Sequence, residues 1–304
     1  MTASKPEPLP SQTDEDWRYV DCRQLAAAAS TAVSPIPGET ATAADFPAPA
    51  DATHAWALAG TLHRLRLAGS VDLGVADQGG AWALRLDCAA GAQVRVRLAR
   101  STSEGRCASW LHATLARGAS LIIEDAGEGG VQLAALSASI AQEAHADLRV
   151  VQHGGALQRH HISVSLDGTG AGCAMTIAAD PRGESQAHVL TRVVHAVGGT
   201  TSRQLIKAVL RDRTRTSFDG LVIMLKGADG STAEQRNQNL VLSPQARADT
   251  RPQLDIRADE VQASHGATIG ALDAEELLYL RARGLADGAA RELLTEAFLA
   301  EALP

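Results

Sequence analysis

Residues 162–168 read Ile-Ser-Val-Ser-Leu-Asp-Gly, the clearest strand pattern in the chain. Apolar side chains alternate strictly with serines over 162–166, which places the two residue types on opposite faces of a β-strand. The Asp-Gly pair that follows is a turn signal. We therefore predict a strand with one buried face and one exposed face, closed by a turn.

The same period of two extends from about residue 54 to residue 270. In one segment Val94, Val96 and Leu98 alternate with arginines and small residues. Further strand centres are predicted near Val150, Ile177, Val193, Ile206, Val222, Val241 and Ile256. No helical pattern of about 10–15 residues separates these centres, which argues against β-α-β winding.

Many short strands without intervening helices fit a β-sandwich, a barrel or a solenoid. The composition favours the solenoid, because 58 of the 304 residues are alanine and aromatic residues make up 3%. Stacked coils can be filled by small side chains. No exact consensus repeat is visible, so the pattern alone leaves the solenoid and the sandwich open.

The period changes at Leu272, after which the sequence predicts an α-helical hairpin. Asp273 and Glu276 have the spacing of a capping box, and Gly284 is a typical helix terminator. A second helix is predicted after Asp287, with four apolar residues on one face: Leu293, Leu294, Ala297 and Phe298. Such a hairpin either packs back on the sheet or docks a partner.

The N-terminal part is predicted to contain one short helix and a linker. Asp14 is expected to cap that helix, which would contain Trp17 and the segment 25–29. Residues 34–52 are rich in proline and alanine and will not support a long helix. The chain thus divides into an N-terminal tail, helix and linker (1–53), a β-helix core (54–270) and a C-terminal helical segment (271–304).

Composition and charge exclude several function classes. The net charge of −7 argues against a nucleic-acid partner. No apolar run approaches the ~20 residues of a membrane helix, so no membrane contact is expected. The polar N-terminus lacks the apolar core of a secretory signal, so we expect a cytoplasmic chain with reduced thiols. The four cysteines form no C-x-x-C pair, which excludes a local zinc knuckle or redox dithiol.

Motifs for catalysis are missing as well. The chain carries no P-loop and no G-x-S-x-G nucleophile motif, so we expect neither ATP hydrolysis nor acyl transfer. Adjacent residues in a strand point to opposite faces, so His160 and His161 cannot chelate one ion together. These two, His188 and His195 are predicted to be structural, and Cys173 to be a small core residue.

His265 is the candidate with the most chemical potential. It lies in Ser264-His265-Gly266-Ala267-Thr268-Ile269-Gly270, where glycines let the backbone bend or another chain approach closely. An imidazole there can ligate iron or zinc, or move a proton. A turn histidine that caps the last coil is the simpler interpretation, and the local sequence leaves both open.

A set of C-terminal segments carries a resemblance to a known family. These segments are 200–205 (TTSRQL), 218–220 (FDG), 235–243 (QRNQNLVLS), 251–254 (RPQL) and 263–270 (ASHGATIG), and 14–19 (DEDWRY) adds to them. Over about 185–300 the chain resembles the SufB/SufD family of the SUF iron–sulfur cluster assembly machinery, and its SufD branch in particular.

The resemblance implies a mainly β fold, a right-handed parallel β-helix with a C-terminal helical hairpin. It also implies a non-enzymatic scaffold that pairs with SufB through the β-helix and docks a SufC ATPase through residues 271–304. His265 corresponds to the family histidine that helps to hold the nascent iron–sulfur cluster at the SufB interface. The implied docking residues are Asp273, Glu276, Leu277, Tyr279, Leu280 and Arg283.

Two departures limit what the resemblance implies. Many relatives have a cysteine two residues before the histidine, where this chain has Ala263. His265 would then be the only strong local ligand, which argues against a cluster held stably by this chain alone. The chain is also shorter than usual, and we expect it to lack most of the N-terminal helical domain.

Two alternatives stay open. A diverged paralogue could keep only the structural role, as a homodimer without cluster chemistry. A β-helix enzyme acting on saccharides would instead need clustered carboxylates on one face, for which Asp255, Asp259 and Glu260 are the candidates.

Overall fold

Two parallel β-sheets, joined coil by coil, form the body of the molecule. The chain is 55% strand and winds into a parallel β-solenoid of about seven turns, as predicted. The computed structural model describes residues 10–11, 13–20, 38–77, 79–101 and 105–303.

The chain enters the two sheets alternately. In the described residues the first sheet contains β1 (Glu39–Thr40), β2 (Thr61–Leu67), β4 (Gly80–Cys88), β6 (Arg106–Leu115), β8 (Val131–Ile140), β10 (Leu157–Leu166), β12 (Gln186–His195), β14 (Arg215–Met224) and β16 (Arg247–Ile256). The second contains β3 (Ser70–Asp77), β5 (Gln93–Ser101), β7 (Ser120–Glu128), β9 (His145–Gln152), β11 (Gly172–Ala179), β13 (Thr201–Leu210), β15 (Thr232–Val241) and β17 (Gln262–Gly270). Among the strands that the structure describes, only β1 pairs antiparallel, with β2.

The register stacks equivalent residues directly on one another. Leu84, Leu111, Leu136 and Ile162 are successive partners in β4, β6, β8 and β10, and all four are buried. Neighbouring strands lie about 4.8 Å apart, so each inward side chain packs on its equivalent in the next coil. Each strand pairs with the following coil, and this settles the choice between solenoid and sandwich.

A repeated turn leads from the first sheet into the second. Gly91, Gly118 and Gly170 have φ values of 69°, 66° and 76°, and Glu143 takes the same left-handed conformation at 58°. Each is followed by a buried alanine whose N–H closes the turn, as in the 3.0 Å bond from Ala119 to the carbonyl of Ala116. The turn therefore places a small buried residue at the same stacked position of successive coils.

All seven predicted strand centres lie within strands, but two of them are at a strand end rather than near the middle. Val241 and Ile256 are the last residues of β15 and β16. In β15 the inward positions before Val241 are Gln235, Asn237 and Asn239, which are buried although polar. Because these residues break the apolar alternation, the sequence pattern placed the centre of the strand too late.

Trp17, Phe46 and a short helix pack on the outer face of the first sheet and form what we call the cover. Helix α1 (Ala52–Leu58), which the sequence analysis did not predict, packs with Phe46 against Trp110 of β6. Trp17 packs on the same face, with Leu133 of β8 and Leu157 of β10. The described part of the predicted linker is therefore packed against the sheet, and the polar side chains beneath the cover are buried.

The predicted N-terminal helix is reduced to one 3₁₀ turn, Glu15–Trp17. Asp14 does not cap it, because the Asp14 carboxylate accepts a hydrogen bond from the Ser11 N–H at 2.8 Å. The segment 25–29, predicted to extend this helix, lies outside the described residues.

The C-terminal hairpin consists of α2 (Ala274–Ala282) and α3 (Asp287–Ala300). Asp273 caps α2 by accepting hydrogen bonds from the N–H groups of Glu275 and Glu276, at 2.7 and 3.1 Å. Gly284 follows the helix with φ of 95°, as predicted for a terminator. In the described residues no helix is long and apolar enough to cross a membrane.

The apolar residues of α3 are divided between two contacts. Phe298 and Leu299 pack on the outer face of the second sheet, against Leu205 and Val209 of β13. The Lys207 ammonium also forms an ion pair with Glu301 at 2.6 Å. Three residues predicted to share a face with Phe298 line a groove between α2 and α3 instead: Leu293, Leu294 and Ala297.

The stacked interior predicts a large effect for a single core truncation. Leu136→Ala removes a fully buried side chain from the column and leaves a cavity, so it should lower the free energy of unfolding by about 2–5 kcal/mol. Leu278→Ala, at a side chain 66% exposed, should change it by less than about 0.5 kcal/mol. Urea unfolding of the two variants measures the difference, and equal effects would contradict the described core.

Candidate functional site

The last coil of the solenoid is open. Strands β16 and β17 are the outermost strands of their sheets, and in the described chain each has a hydrogen-bonded neighbour on one side only. Ile256 of β16 is 45% exposed and Ile269 of β17 is 55% exposed. Unpaired strand edges and exposed aliphatic side chains mark a surface that can accept further strands.

His265 lies on β17, at the mouth of the interior. Its register partner is Gln235 of β15, and two residues earlier Ala263 pairs with Ala233 and packs against the core. Because alternate residues of a strand share a face, His265 is on the inward side of the sheet. It is nevertheless exposed, since no further coil covers it.

A polar column leads from the interior to this histidine. Gln204, Gln235 and His265 are successive register partners in β13, β15 and β17. The Thr191 hydroxyl donates to Oε1 of Gln204 at 2.7 Å, and Nε2 of Gln235 approaches the same oxygen at 3.5 Å. Gly220 leaves the space for this column, because a Cβ there would lie 2.4 Å from Nε2 of Gln235.

Within the described part of the chain, His265 belongs to no group of three potential metal ligands. The column below supplies amide groups, with Oε1 of Gln235 buried and without a hydrogen-bond partner. An iron species at His265 would therefore need its other strong ligands from a second chain.

The described cysteines cannot supply these ligands. Cys88, Cys107 and Cys173 are buried in the solenoid, as predicted for Cys173. Burial raises the pKa of Cys88 to about 11 and that of Cys173 to about 12, so both are thiols rather than thiolates at neutral pH. Cys22 lies outside the described residues.

A second candidate surface is the groove between α2 and α3. Its volume is about 700 Å³. It is lined by Glu275, Glu276, Tyr279, Leu280, Leu293, Leu294 and Ala297. The groove combines apolar side chains with the carboxylates of Glu275 and Glu276, so a helix with aliphatic and basic side chains would be complementary to it.

Only some of the six predicted docking residues line this groove. Glu276, Tyr279 and Leu280 line the groove. Arg283 stacks over the Tyr279 ring, with 5.0 Å between its guanidinium carbon and the ring centroid. Asp273 caps α2, and Leu277 is half-buried outside the groove lining.

Four other histidines are buried and hydrogen-bonded, as predicted. His160 faces the interior, where Nε2 of Gln152 lies 2.9 Å from its Nδ1, and His161 points the other way, toward Asp51. His188 contacts the Ser217 hydroxyl at 2.7 Å. The fourth, His195, contacts the hydroxyls of Thr200 and Ser202, both at 2.8 Å.

A cluster under α1 was missed by the sequence analysis. Asp51 forms an ion pair with Arg159 at 2.7 Å and contacts Nδ1 of His54 and of His161 at 2.8 and 3.1 Å. The Arg159 guanidinium also stacks on Trp17, 4.0 Å from the ring centroid. Asp51 could have been recognised from the sequence as a helix cap. Its contacts with Arg159 and His161 could not, because those residues lie more than 100 positions away in the chain.

This cluster anchors the cover rather than binding a metal. Burial opposes the charge of Asp51, but Arg159 and hydrogen bonds from His161 and His54 hold its pKa well below the usual value. The carboxylate is thus neutralised by a buried guanidinium. A divalent cation would add two uncompensated charges beside Arg159, which buried sites do not tolerate.

Of the three carboxylates proposed for a saccharide enzyme, one is paired with an arginine and the other two belong to a bend. Asp255 forms an ion pair with Arg257. Asp259 and Glu260 lie in a bend between β16 and β17, where their N–H groups donate to Asp229. The geometry therefore does not support a pair of catalytic carboxylates at these positions.

Comparison with known proteins identifies a family. Residues 83–298 match the model described as "SUF system FeS cluster assembly, SufBD core domain". The matched range covers the solenoid from β4 onward, the open end with His265 and nearly all of the hairpin.

Curated relatives match the chain over about half its length or less. The iron–sulfur cluster assembly protein SufD of Escherichia coli is 37% identical over 148 residues, which is 49% of this chain and 35% of the relative. A SufBD family protein of Synechocystis is 40% identical over 156 residues, 50% of this chain and 34% of the relative. SufD of Bacillus subtilis is 34% identical over 119 residues, which is 39% of this chain. The matches thus span about a third of the relatives' own length or less.

The buried histidines predict a loss of stability in acid. Burial, with Arg159 and Arg215, lowers the pKa of His188 to about 3, whereas an unfolded histidine titrates near 6.5. Between these values only the unfolded state takes up the proton, so the stability contribution is complete above pH ~6.5 and declines as pH falls toward 3. One such histidine contributes a slope of about 1.4 kcal/mol per pH unit.

His188→Gln should flatten this dependence, and urea unfolding between pH 7 and pH 4 (roughly the window set by those pKa values) measures it. His153→Gln, at an exposed histidine, is the matched control and should keep the slope of the unmodified protein. An unchanged slope in His188→Gln would contradict the neutral buried imidazole.

Proposed function

The chain belongs to the SufBD core family of the SUF iron–sulfur cluster assembly system, and on that premise we propose that it is a non-enzymatic scaffold subunit. It pairs with a SufB-like chain through the open end of the solenoid. It docks a SufC-like ATPase through the C-terminal hairpin. His265 is offered at the shared interface to an iron–sulfur cluster under construction, which is the cargo of the complex.

The open last coil is the observation that carries the proposal. Strands β16 and β17 both end their sheets, so a partner solenoid can extend the two sheets at once. Backbone hydrogen bonds to the edges would supply affinity, and burial of Ile256 and Ile269 would add to it. His265, exposed at this mouth, would become enclosed between the two chains.

The chemistry of His265 fits a shared site. A neutral imidazole is a good ligand for iron, and cysteine thiolates are the usual ligands of iron–sulfur clusters. The position two residues earlier is Ala263, and the described cysteines are buried. The partner would therefore supply the thiolate ligands, and a cluster shared in this way can be released when the interface changes.

The hairpin is suited to transmit an ATP-driven movement. Helix α3 is fixed to β13 by Leu299 and by the Lys207–Glu301 ion pair, and β13 is two strands from β17 in the same sheet. A partner bound in the α2–α3 groove would therefore pull on the sheet that carries His265. Such coupling needs a rigid connection between the two sites, and a continuous parallel sheet provides it.

A second copy of this chain is the alternative occupant of the open end. The same unpaired edges of β16 and β17 favour it, because like strands can pair as well as unlike ones. Co-expression with the SufB-like and SufC-like proteins of the same organism separates the two cases. Recovery of a complex containing all three chains supports the scaffold, and a homodimer that excludes both partners contradicts it.

The ligand role of His265 predicts a selective defect. His265→Ala should assemble with both partners as the unmodified chain does, because an exposed side chain contributes little to the fold. Its complex should hold less than half the iron and sulfide after reconstitution. Exposed His153→Ala is the control and should keep both. Normal cluster loading by His265→Ala would rule out the ligand role.

The groove predicts a separate defect in ATPase docking. Leu280→Asp places a charge on the apolar floor and should weaken binding of the SufC-like protein by about tenfold or more, the effect of 1.4 kcal/mol. Leu278→Asp, on the same helix but outside the groove lining, should bind normally. Isothermal titration calorimetry measures both, and equal affinities would show that the groove is not the docking surface.

A further inference from the structure

A small cavity lies on the outer face of the first sheet, away from both proposed interfaces. It has a volume of about 180 Å³, enough for several water molecules. Strands β6, β8, β10 and β12 form its floor, and residues 47–50 with His54 of α1 form one wall. Its polar lining includes His112, Ser137, Ser163 and Arg192.

The strand register places these four residues in one row. His112 pairs with Ser137, Ser137 with Ser163, and Ser163 with Arg192, on four successive strands. Neighbouring side chains in the row are therefore about 4.8 Å apart. At this spacing several of them can reach one small ligand together.

The row offers hydrogen-bond donors that are not used within the protein. The Trp110 indole N–H donates to Oγ of Ser137 at 2.8 Å, and Nδ1 of His112 lies 2.8 Å from the same oxygen. Burial, and then Arg85, lower the pKa of His112 to about 4, so the imidazole is neutral at neutral pH. The Ser137 hydroxyl carries one proton and the neutral His112 imidazole carries another, and the hydrogen bond between them uses only one of the two. The other proton remains available to donate, whichever ring nitrogen of His112 is protonated.

Ser163 and Arg192 add further hydrogen-bond donors to the lining of the cavity. In the described part of the chain, neither Ser163 nor Arg192 makes a side-chain hydrogen bond, and Arg192 forms no ion pair. Among the described residues that line the cavity, Arg192 is the one that carries a permanent charge. The nearby carboxylate of Asp51 is already neutralised by Arg159. The cavity therefore carries a net positive charge and surplus donors.

We propose that this cavity binds a small oxyanion of the phosphate or carboxylate class. Arg192 supplies the charge, the hydroxyl of Ser163 and the spare donor of the Ser137–His112 pair supply hydrogen bonds, and the wall formed by Pro47 and its neighbours excludes bulk water on one side. Charge-assisted hydrogen bonds of this kind are the strong ones, and a planar guanidinium fits both oxyanion classes. The site is independent of His265 and of the hairpin.

The indole N–H of Trp110 reports on the site directly. Inorganic phosphate and, separately, acetate are titrated into the full chain labelled with ¹⁵N-tryptophan, with Trp110→Phe to assign the resonance. A saturable shift of the Trp110 signal is expected, while the signals of Trp17, Trp56 and Trp82 stay in place. The anion that binds more tightly identifies the class of the natural ligand.

Arg192→Ala should weaken this binding by about tenfold or more, the usual effect of losing a charged hydrogen-bond partner. Arg203→Ala, at an exposed arginine paired with Glu234 on the other sheet, is the control and should bind as the unmodified chain does. Absence of a saturable shift with both anions overturns the proposal. So does equal weakening by the two variants, or an identical shift produced by sodium chloride.

Discussion

The structure depends on one constraint, the exact parallel stacking of each coil on the one before it. A column such as Leu84, Leu111, Leu136 and Ile162 forms only if every coil turns at the same point. The repeated left-handed residue and the buried small residue after it fix that point. A one-residue slip would move the inward side chains of a strand to the outside. Alanine fits the buried position of this turn because it adds little volume between stacked coils.

Stacking also dictates where function can lie. In the described residues the strands of the inner coils pair on both sides, whereas β16 and β17 of the last coil each have one unpaired edge. The register that buries Gln235 places His265 one strand further along the same column, where nothing covers it. The proposed cluster position and the proposed partner interface are therefore consequences of the same open end, and α3 is attached to the sheet that carries both.

The sequence predicted what depends on local pattern. Alternation in 162–166 and the Asp273 cap indicated a strand and a helix start that the structure confirms. Pattern could not predict the cluster of Asp51 with Arg159, because these residues are far apart in the chain and meet only after coiling. It also could not place His265 on the inward face, since that depends on its pairing with Gln235. The family resemblance, not spacing, singled out this histidine.

Hydrogen–deuterium exchange of the two edge strands tests whether a partner solenoid pairs with the open end. Exchange in residues 247–256 and 262–270 is measured in the chain alone and after addition of the SufB-like partner. The account predicts that both segments exchange rapidly in the chain alone and become strongly protected in the complex, because a partner pairs with both edges. Protection confined to other strands, or unchanged exchange at both edges in a complex that has formed, would contradict it.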